Sequence, residues 1–261
     1  MQLLDIGANL TASAFQHDVH QVIGEAFASG VTKLILTGSD LADSHAAQAL
    51  AAQYPQQLWS TAGIHPHLAK SYSPESIAQI RALLAHPEVV AVGETGLDYN
   101  RNYSEPAQQR QSFEAHLELA IDTQKPMFLH QRDAHEDFLA LLKAHRSELG
   151  PVVVHCFTGE EQELDDYLAL DCHIGITGWI CDERRGHHLR DFVAKIPADR
   201  LMIETDAPYL LPRDLKPKPK SRRNEPKWLP HICEVVAECR QQDAASLAAS
   251  TTATAERFFG V

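Results

Sequence analysis

Glu204 and Asp206 close the short apolar run Leu201-Met202-Ile203, and Ala207-Pro208 follows them directly. Side chains of a strand alternate between faces, so Glu204 and Asp206 are expected to point the same way. Proline then stops the strand, because it cannot donate to a sheet ladder. A pair of carboxylates at the tip of an apolar strand is costly unless something positive sits there. Three further apolar runs end in groups of matching chemistry: Glu94 after Val89-Val-Ala-Val-Gly, His130 after Pro126-Met-Phe-Leu, and His155 after Pro151-Val-Val-Val. Taken singly, each is an ordinary polar group at a strand end, and Glu94 is a cap for the next turn. Taken together, two imidazoles and several carboxylates describe a site for a divalent ion. Zinc or manganese suits that mixture, with magnesium where oxygen dominates. A carboxylate at Glu94 suits a position shared between two cations. Arg132 lies two residues past His130, so a phosphate-binding fork and a metal ligand share a face. Cys156 has the opposite parity to His155 and is expected to pack outside, not to bind metal.

These residues need strands to carry them. Apolar runs fall near 3–8, 32–38, 58–64, 89–94, 126–130, 151–155, 172–177 and 201–205, mostly separated by segments of helical period such as Phe113, Leu117, Ala120 and Ile121. Ser39 or Asp40 caps the segment opening at Leu41. Ser73-Pro74 and Ser104-Glu105-Pro106 set proline at a first helical position. Strands alternating with helices imply a parallel sheet, and eight such units imply one (β/α)8 TIM barrel over residues 1–261. An open doubly wound sheet is the alternative, which the strand number and length disfavour.

One stretch breaks the rhythm. Residues 212–230 hold five prolines, with Pro208 just before, and no helical period. Arg213, Lys216, Lys218, Lys220, Arg222, Arg223 and Lys227 stand there against Asp214 and Glu225, a local excess of five positive charges. A loop after the eighth strand lies at the C-terminal face of a barrel, where active sites are built, and its charge calls for an anionic partner. A single final helix is expected over 229–259.

Composition bounds the rest. The formal net charge of −12 excludes a protein that coats nucleic acid through bulk electrostatics, though not an enzyme with a local basic patch. Five cysteines without CxxC spacing, and no leader pattern at Met1-Gln-Leu-Leu-Asp, read as reduced thiols of a cytoplasmic protein. No apolar run approaches the ~20 residues of a membrane span, so no membrane partner is expected.

The segments GETGLD (93–98), LHQRDAH (129–135), HCFTG (155–159), ETDAPYL (204–210) and RRNEP (222–226) stand in the order and spacing of the TatD family of metal-dependent nucleases, and the chain resembles that family from Asp5 to its C-terminal helix. The resemblance implies a TIM barrel of the amidohydrolase type that hydrolyses phosphodiester bonds. Glu94, His130, His155 and Asp206 would be its metal ligands, with Asp206 also orienting the attacking water and Glu94 and Asp206 carrying the catalysis. His65, in Gly63-Ile-His-Pro-His67, resembles the family's strand-three histidine and would face the phosphate, while His67 falls equally well on the surface. Arg132, Arg222 and Arg223 would hold phosphate oxygens, and Asn224 and Glu225 would fix the loop. Trp179 and Tyr209 fall where an aromatic side chain stacks on an unpaired base or simply packs the rim. Asp5-Ile-Gly7-Ala-Asn9 departs from the family's Asp-x-His-x-His, so one of two metal positions loses both imidazoles. With Trp179-Ile-Cys-Asp-Glu-Arg-Arg185, that segment resembles a bacterial branch associated with magnesium-dependent 3′→5′ exonuclease action on single-stranded DNA and RNA. A monomer is expected. Two alternatives stand beside this reading: a small-molecule amidohydrolase or deaminase, and a catalytically inactive nucleic-acid-binding protein.

Overall fold

The computed structural model describes residues 1–261. Its strands are β1 (Leu3–Ala8), β2 (Val31–Leu36), β3 (Leu58–Ala62), β4 (Val89–Asp98), β5 (Met127–Arg132), β6 (Val152–Val154), β7 (His173–Ile176) and β8 (Leu201–Ile203). The helices are α1 (Val19–Ala28), α2 (Leu41–Ala51), α3 (Pro74–Leu83), α4 (Pro106–Thr123), α5 (His135–His145), α6 (Glu161–Ala169), α7 (Leu189–Phe192), α8 (Leu229–Cys239) and α9 (Ala244–Phe259). The strands follow one another in the sheet in chain order, β1 to β8, and a parallel bridge between Ala8 and Ala207 joins the first strand to the segment after the last. This is the (β/α)8 barrel fold expected from eight alternating units.

The chain divides into two compact units. The first comprises Met1–Leu36, Cys156–Glu161 and Ile174–Val261, and so holds β1, β2, β8 and most of β7 with α1, α7, α8 and α9. Leu3, Ile6, Leu34, Ile35, Leu201 and Ile232 are buried there to exclusion of solvent. The second comprises Thr37–His155 and Gln162–His173, with β3 to β6 and the helices α2 to α5 and most of α6. Phe113 and Phe138 stack at 5.3 Å in its core, and the Tyr167 ring meets Phe138 edge-on. Each such aromatic side chain contributes roughly 2–3 kcal/mol through burial.

The helix starts follow their capping chemistry. Asp40 accepts the Asp43 N–H, and Ser73 and Ser76 cap one another reciprocally ahead of α3. Before α4 the capping residue is Glu105, whose own N–H donates to Gln108. Two expectations fail at element ends. The final helix is two, because the chain turns between Cys239 and Ala244, where Asp243 caps α9 by accepting the Ser246 N–H. β8 ends at Ile203, and Asp206 adopts a left-handed φ of 54°, so strand alternation does not govern Glu204 and Asp206.

Candidate metal centre

β4 runs four residues past its expected end. Glu94, Gly96 and Asp98 therefore share one face of a strand that is buried along its whole length. Glycine makes this continuation possible. At Gly96 (φ 137°) a Cβ would lie 2.0 Å from the His130 carbonyl oxygen, and at Gly93 (φ 143°) 2.1 Å from that of Phe128. Only bare backbone fits there, and the register sets Gly96 beside His130 and Asp98 beside Arg132.

On this platform the imidazoles converge. His155 Nε2 lies 2.8 Å from Glu94 Oε1, His130 Nδ1 3.0 Å and His65 Nε2 3.2 Å from the same oxygen. His130 Nε2 also meets Asp98 Oδ2 at 3.2 Å, where His67 Nε2 arrives at 2.8 Å. The donor atoms of His65, Glu94 and His130 all lie within 4.8 Å of one another. These residues come from the C-terminal ends of β3, β4, β5 and β6, the face of a barrel that carries chemistry.

Each side chain is held from behind. His65 Nδ1 accepts the His67 N–H at 3.0 Å, which leaves Nε2 to face Glu94. The His155 ring stacks on Phe128 with centroids 4.3 Å apart. Asp98 Oδ1 accepts the N–H groups of Asn100 and Arg101, so the turn fixes one oxygen and Oδ2 is presented to the histidines. Buried Gln109 grips the Asp98 backbone on both sides, accepting its N–H at 2.8 Å and donating to its carbonyl at 2.9 Å. His116, fully buried on α4, accepts the Ile64 N–H at 3.1 Å and so anchors the residue before His65.

The charges explain one another. Burial works against ionisation of Glu94, but His65, His155 and His130 together hold its carboxyl well below the ordinary range. Asp98 behaves alike: burial opposes its charge, and hydrogen bonds from His130 and His67 outweigh that and lower its pKa. Burial opposes the charged form of His130 as well, yet Asp98 and Glu94 raise its pKa, since both ring nitrogens face a carboxylate. Two buried carboxylates thus draw their charge compensation from imidazoles, with no lysine or arginine side chain among their partners. Imidazole nitrogens and carboxylate oxygens gathered on one point are a fitting donor set for a divalent ion, which would occupy the place of the bridging protons.

Against the expected residues, Glu94, His130 and His155 are brought together. His65 joins them, its Nε2 3.2 Å from Glu94 Oε1, although a phosphate-facing role was expected of it. His67 belongs to the cluster through Asp98 and is not a plain surface residue. Asp98 was missed because Gly93 and Gly96 look like the end of a strand. Its signal was the two-residue spacing from Glu94 through Gly96. Tyr103, 56% exposed, sets its ring edge-on to His67 at 4.9 Å and was missed too. Arg132 ends β5 and is half-buried.

In the first unit, Asp206 donates its N–H to the Gly7 carbonyl at 2.8 Å, and Asn9 Nδ2 donates to Asp206 Oδ1 at 3.0 Å. The Asn9 amide thereby orients Asp206. Fully buried Glu204 accepts the Cys156 N–H, and Cys156 Sγ lies 3.8 Å from Thr177 Oγ1. The basic loop sorts into two kinds of residue. Arg223 is committed inward: it pairs with Asp18 and Glu225 at 2.7 Å each, donates to the Ala14 carbonyl, and lies over the Phe15 ring. Lys227 pairs with Glu25, and Arg213 with Asp182 and Glu183. Arg222, Lys216, Lys218 and Lys220 are exposed. A phosphate role therefore suits Arg222 better than Arg223, whose donors are engaged. Buried Asn224 donates its amide to the Thr205 carbonyl and its N–H to that of Pro208, fixing the loop as expected. Tyr209 is 58% exposed, whereas Trp179 lies under the Arg185 guanidinium at 4.3 Å.

The family profile described as TatD related DNase matches residues 4–260. A Citrobacter rodentium protein named 3′-5′ ssDNA/RNA exonuclease TatD is 53% identical over 259 residues, covering 99% of this chain and 98% of its own. A protein of the same name from Edwardsiella piscicida is 54% identical over 257 residues, with 98% and 99% covered. Among solved structures, the TatD homolog YjjV of Escherichia coli K12 matches with a TM-score of 0.89 at 28% identity, covering 99% of this chain and 98% of its own. A hydrolase TatD family protein from Entamoeba histolytica matches at 0.90 and 26% identity, with the same coverage.

Proposed function

The chain belongs to the TatD related DNase family, and we propose that within it the protein is a magnesium-dependent 3′→5′ exonuclease on single-stranded DNA and RNA. The observation that carries this reading is the convergence of His65, His130 and His155 on one oxygen of buried Glu94. Glu94, His130 and His155 would hold the ion, with His65 close enough to join them. When bound, a divalent ion supplies positive charge against the phosphoryl oxygens and makes a nearby water more acidic. The residues of the chain do the positioning. Asp98 orients His130 and His67, and Phe128 seats His155. Asp206, assigned by family likeness and steered by Asn9, orients the attacking water and takes its proton. Arg132 and Arg222 hold phosphate oxygens, and exposed Tyr103 offers a ring on which an unpaired base can stack. Arg223, paired to Asp18 and Glu225, keeps the loop in place. Magnesium is proposed as the working ion on the likeness to the bacterial branch, and the imidazole-rich donor set at Glu94 also suits manganese or zinc.

Protein stripped with a chelator should lose hydrolysis of a labelled single strand and regain it with magnesium, manganese or zinc. A duplex of the same sequence should be cut more slowly. Equal rates on both substrates in the presence of chelator would refute the reading.

A further inference from the structure

A second cluster of metal-binding side chains stands in the first unit, built from donors that the histidine–carboxylate centre lacks. Cys181 closes the short 3-10 turn Gly178–Cys181 after β7, Asp214 lies in the loop after β8, and His231 sits in the first turn of α8. One donor atom from each falls within 4.8 Å of the other two. His231 Nε2 lies 2.7 Å from Asp214 Oδ1, and the buried Cys181 thiol brings its Sγ within 4.8 Å of a donor atom of each. Arg190 approaches the opposite carboxylate oxygen, Oδ2, at 3.7 Å and donates to the Ile180 carbonyl at 3.0 Å. It thus steadies Asp214 without covering the side that faces His231. Asp214 and His231 are about one third and one quarter exposed, so the cluster opens to solvent on one side.

We propose that Cys181, Asp214 and His231 form a binding site for a zinc-class divalent ion, separate from the centre at Glu94. A thiolate, an imidazole and a carboxylate are the donors that a borderline ion takes in preference to magnesium or calcium. Tetrahedral zinc with bonds of about 2.0–2.3 Å sets its ligands roughly 3.3–3.8 Å apart. Side-chain rotations therefore suffice to close the Cys181 side and open the His231–Asp214 side. On binding, the Cys181 S–H bond breaks, sulfur keeps the electron pair and donates it to the ion, and the proton passes to solvent. Thiolate and carboxylate then balance the two positive charges, and a water fills the fourth position. Burial holds the thiol above its ordinary pKa, so without the ion it stays neutral. The ion would tie together the turn after β7, the basic loop and the start of α8. Its role is to brace the loop that carries Arg222.

The thiolate provides the test, because the ligands assigned at the Glu94 centre include no sulfur. Metal-stripped full-length protein is titrated with cobalt(II) under reducing conditions and followed by absorption. One equivalent should develop a near-ultraviolet thiolate-to-cobalt charge-transfer band, which zinc then abolishes by displacement. Cys181→Ser should lose the band, as should His231→Gln, a change at a partly exposed position that leaves the core intact. Cys156→Ser should keep it. Absence of the band in the unmodified protein, or its survival in Cys181→Ser, overturns the proposal. Neither result decides whether the centre at Glu94 is that of a nuclease, since the two centres share no residue.

Discussion

Three imidazoles on one oxygen of Glu94 make this carboxylate the electrostatic hub of the second unit, and Asp98 sets the angle at which one of them arrives. Asp98→Asn keeps an oxygen for the Asn100 and Arg101 N–H groups but removes the charge that His130 and His67 lean on. The variant should weaken the affinity for the divalent ion roughly 10–100-fold while leaving the rate at saturating ion within a few-fold. Dependence of hydrolysis on manganese concentration would read this directly, and an unchanged half-saturation would show that Asp98 does not position the ligand. His116 titrates on the other side of neutrality. Burial pushes it down to about 4 from an ordinary 6.5, so the unfolded chain takes up this proton first as pH falls. Stability is therefore lost between about pH 6.5 and 4, by about 3 kcal/mol at most. Asp5 acts in the opposite sense. Burial raises it to about 7 from 3.8, so its contribution is full below pH 4 and is lost as pH rises to 7. The two slopes overlap, which is why the comparison of wild type with His116→Gln is the informative one. The stability difference between them should grow in favour of wild type from pH 4 to 6.5, measured by urea unfolding, and a flat difference would contradict the assignment.

At the scale of elements, the sequence made the strands legible because each is a short apolar run bounded by breakers, and Glu94, His130 and His155 stand at such ends. Asp98 escaped because two glycines inside β4 resemble a turn, when in fact they let β4 and β5 approach where no Cβ fits. Asp206 lies beyond the reach of parity arguments, since β8 stops at Ile203 and the following backbone is held by long-range partners, Gly7 and Asn9 among them. Charge counting likewise saw the excess of the basic loop but not its division. Asp18 and Glu25 on distant segments neutralise Arg223 and Lys227. Two arginines adjacent in sequence should therefore behave differently. Arg222→Ala should lower the salt dependence of single-strand binding, with a change in slope of about 0.7 for one lost phosphate contact, and leave stability alone. Arg223→Ala should lower stability by about 1–2 kcal/mol through loss of its two-pronged ion pair. The reverse pattern in salt titrations and unfolding curves would show that the roles have been exchanged. β1 adds a third expectation. Gly7 offers no side-chain donor, and Asn9, whose Nδ2 donates to Asp206, has only an uncharged amide oxygen to offer, so this position is poor in ligands. Calorimetry with manganese on substrate-free protein should show one tight ion and a second that is weak until nucleic acid is present, and two equally tight ions would contradict this.

For the molecule as a whole, a chain of formal charge −12 must meet a polyanion through a local arrangement, not a global field. Exposed Lys216, Lys218, Lys220 and Arg222 supply such a patch, and relatives more than half identical carry the name of a single-strand exonuclease. No helix is long and apolar enough to cross a membrane. In the proposed function, the centre at Glu94 drives stepwise hydrolysis from the 3′ end of a single strand. Its most direct test is a time course with one oligonucleotide labelled at the 5′ end in one reaction and at the 3′ end in another, in magnesium, for wild type and Glu94→Gln. Wild type should give a descending ladder from the 5′ label and immediate release of a labelled mononucleotide from the 3′ label, and Glu94→Gln should lose both by about 100-fold or more. A ladder from the 3′ label, or undiminished cutting by Glu94→Gln with its fold intact, would contradict it.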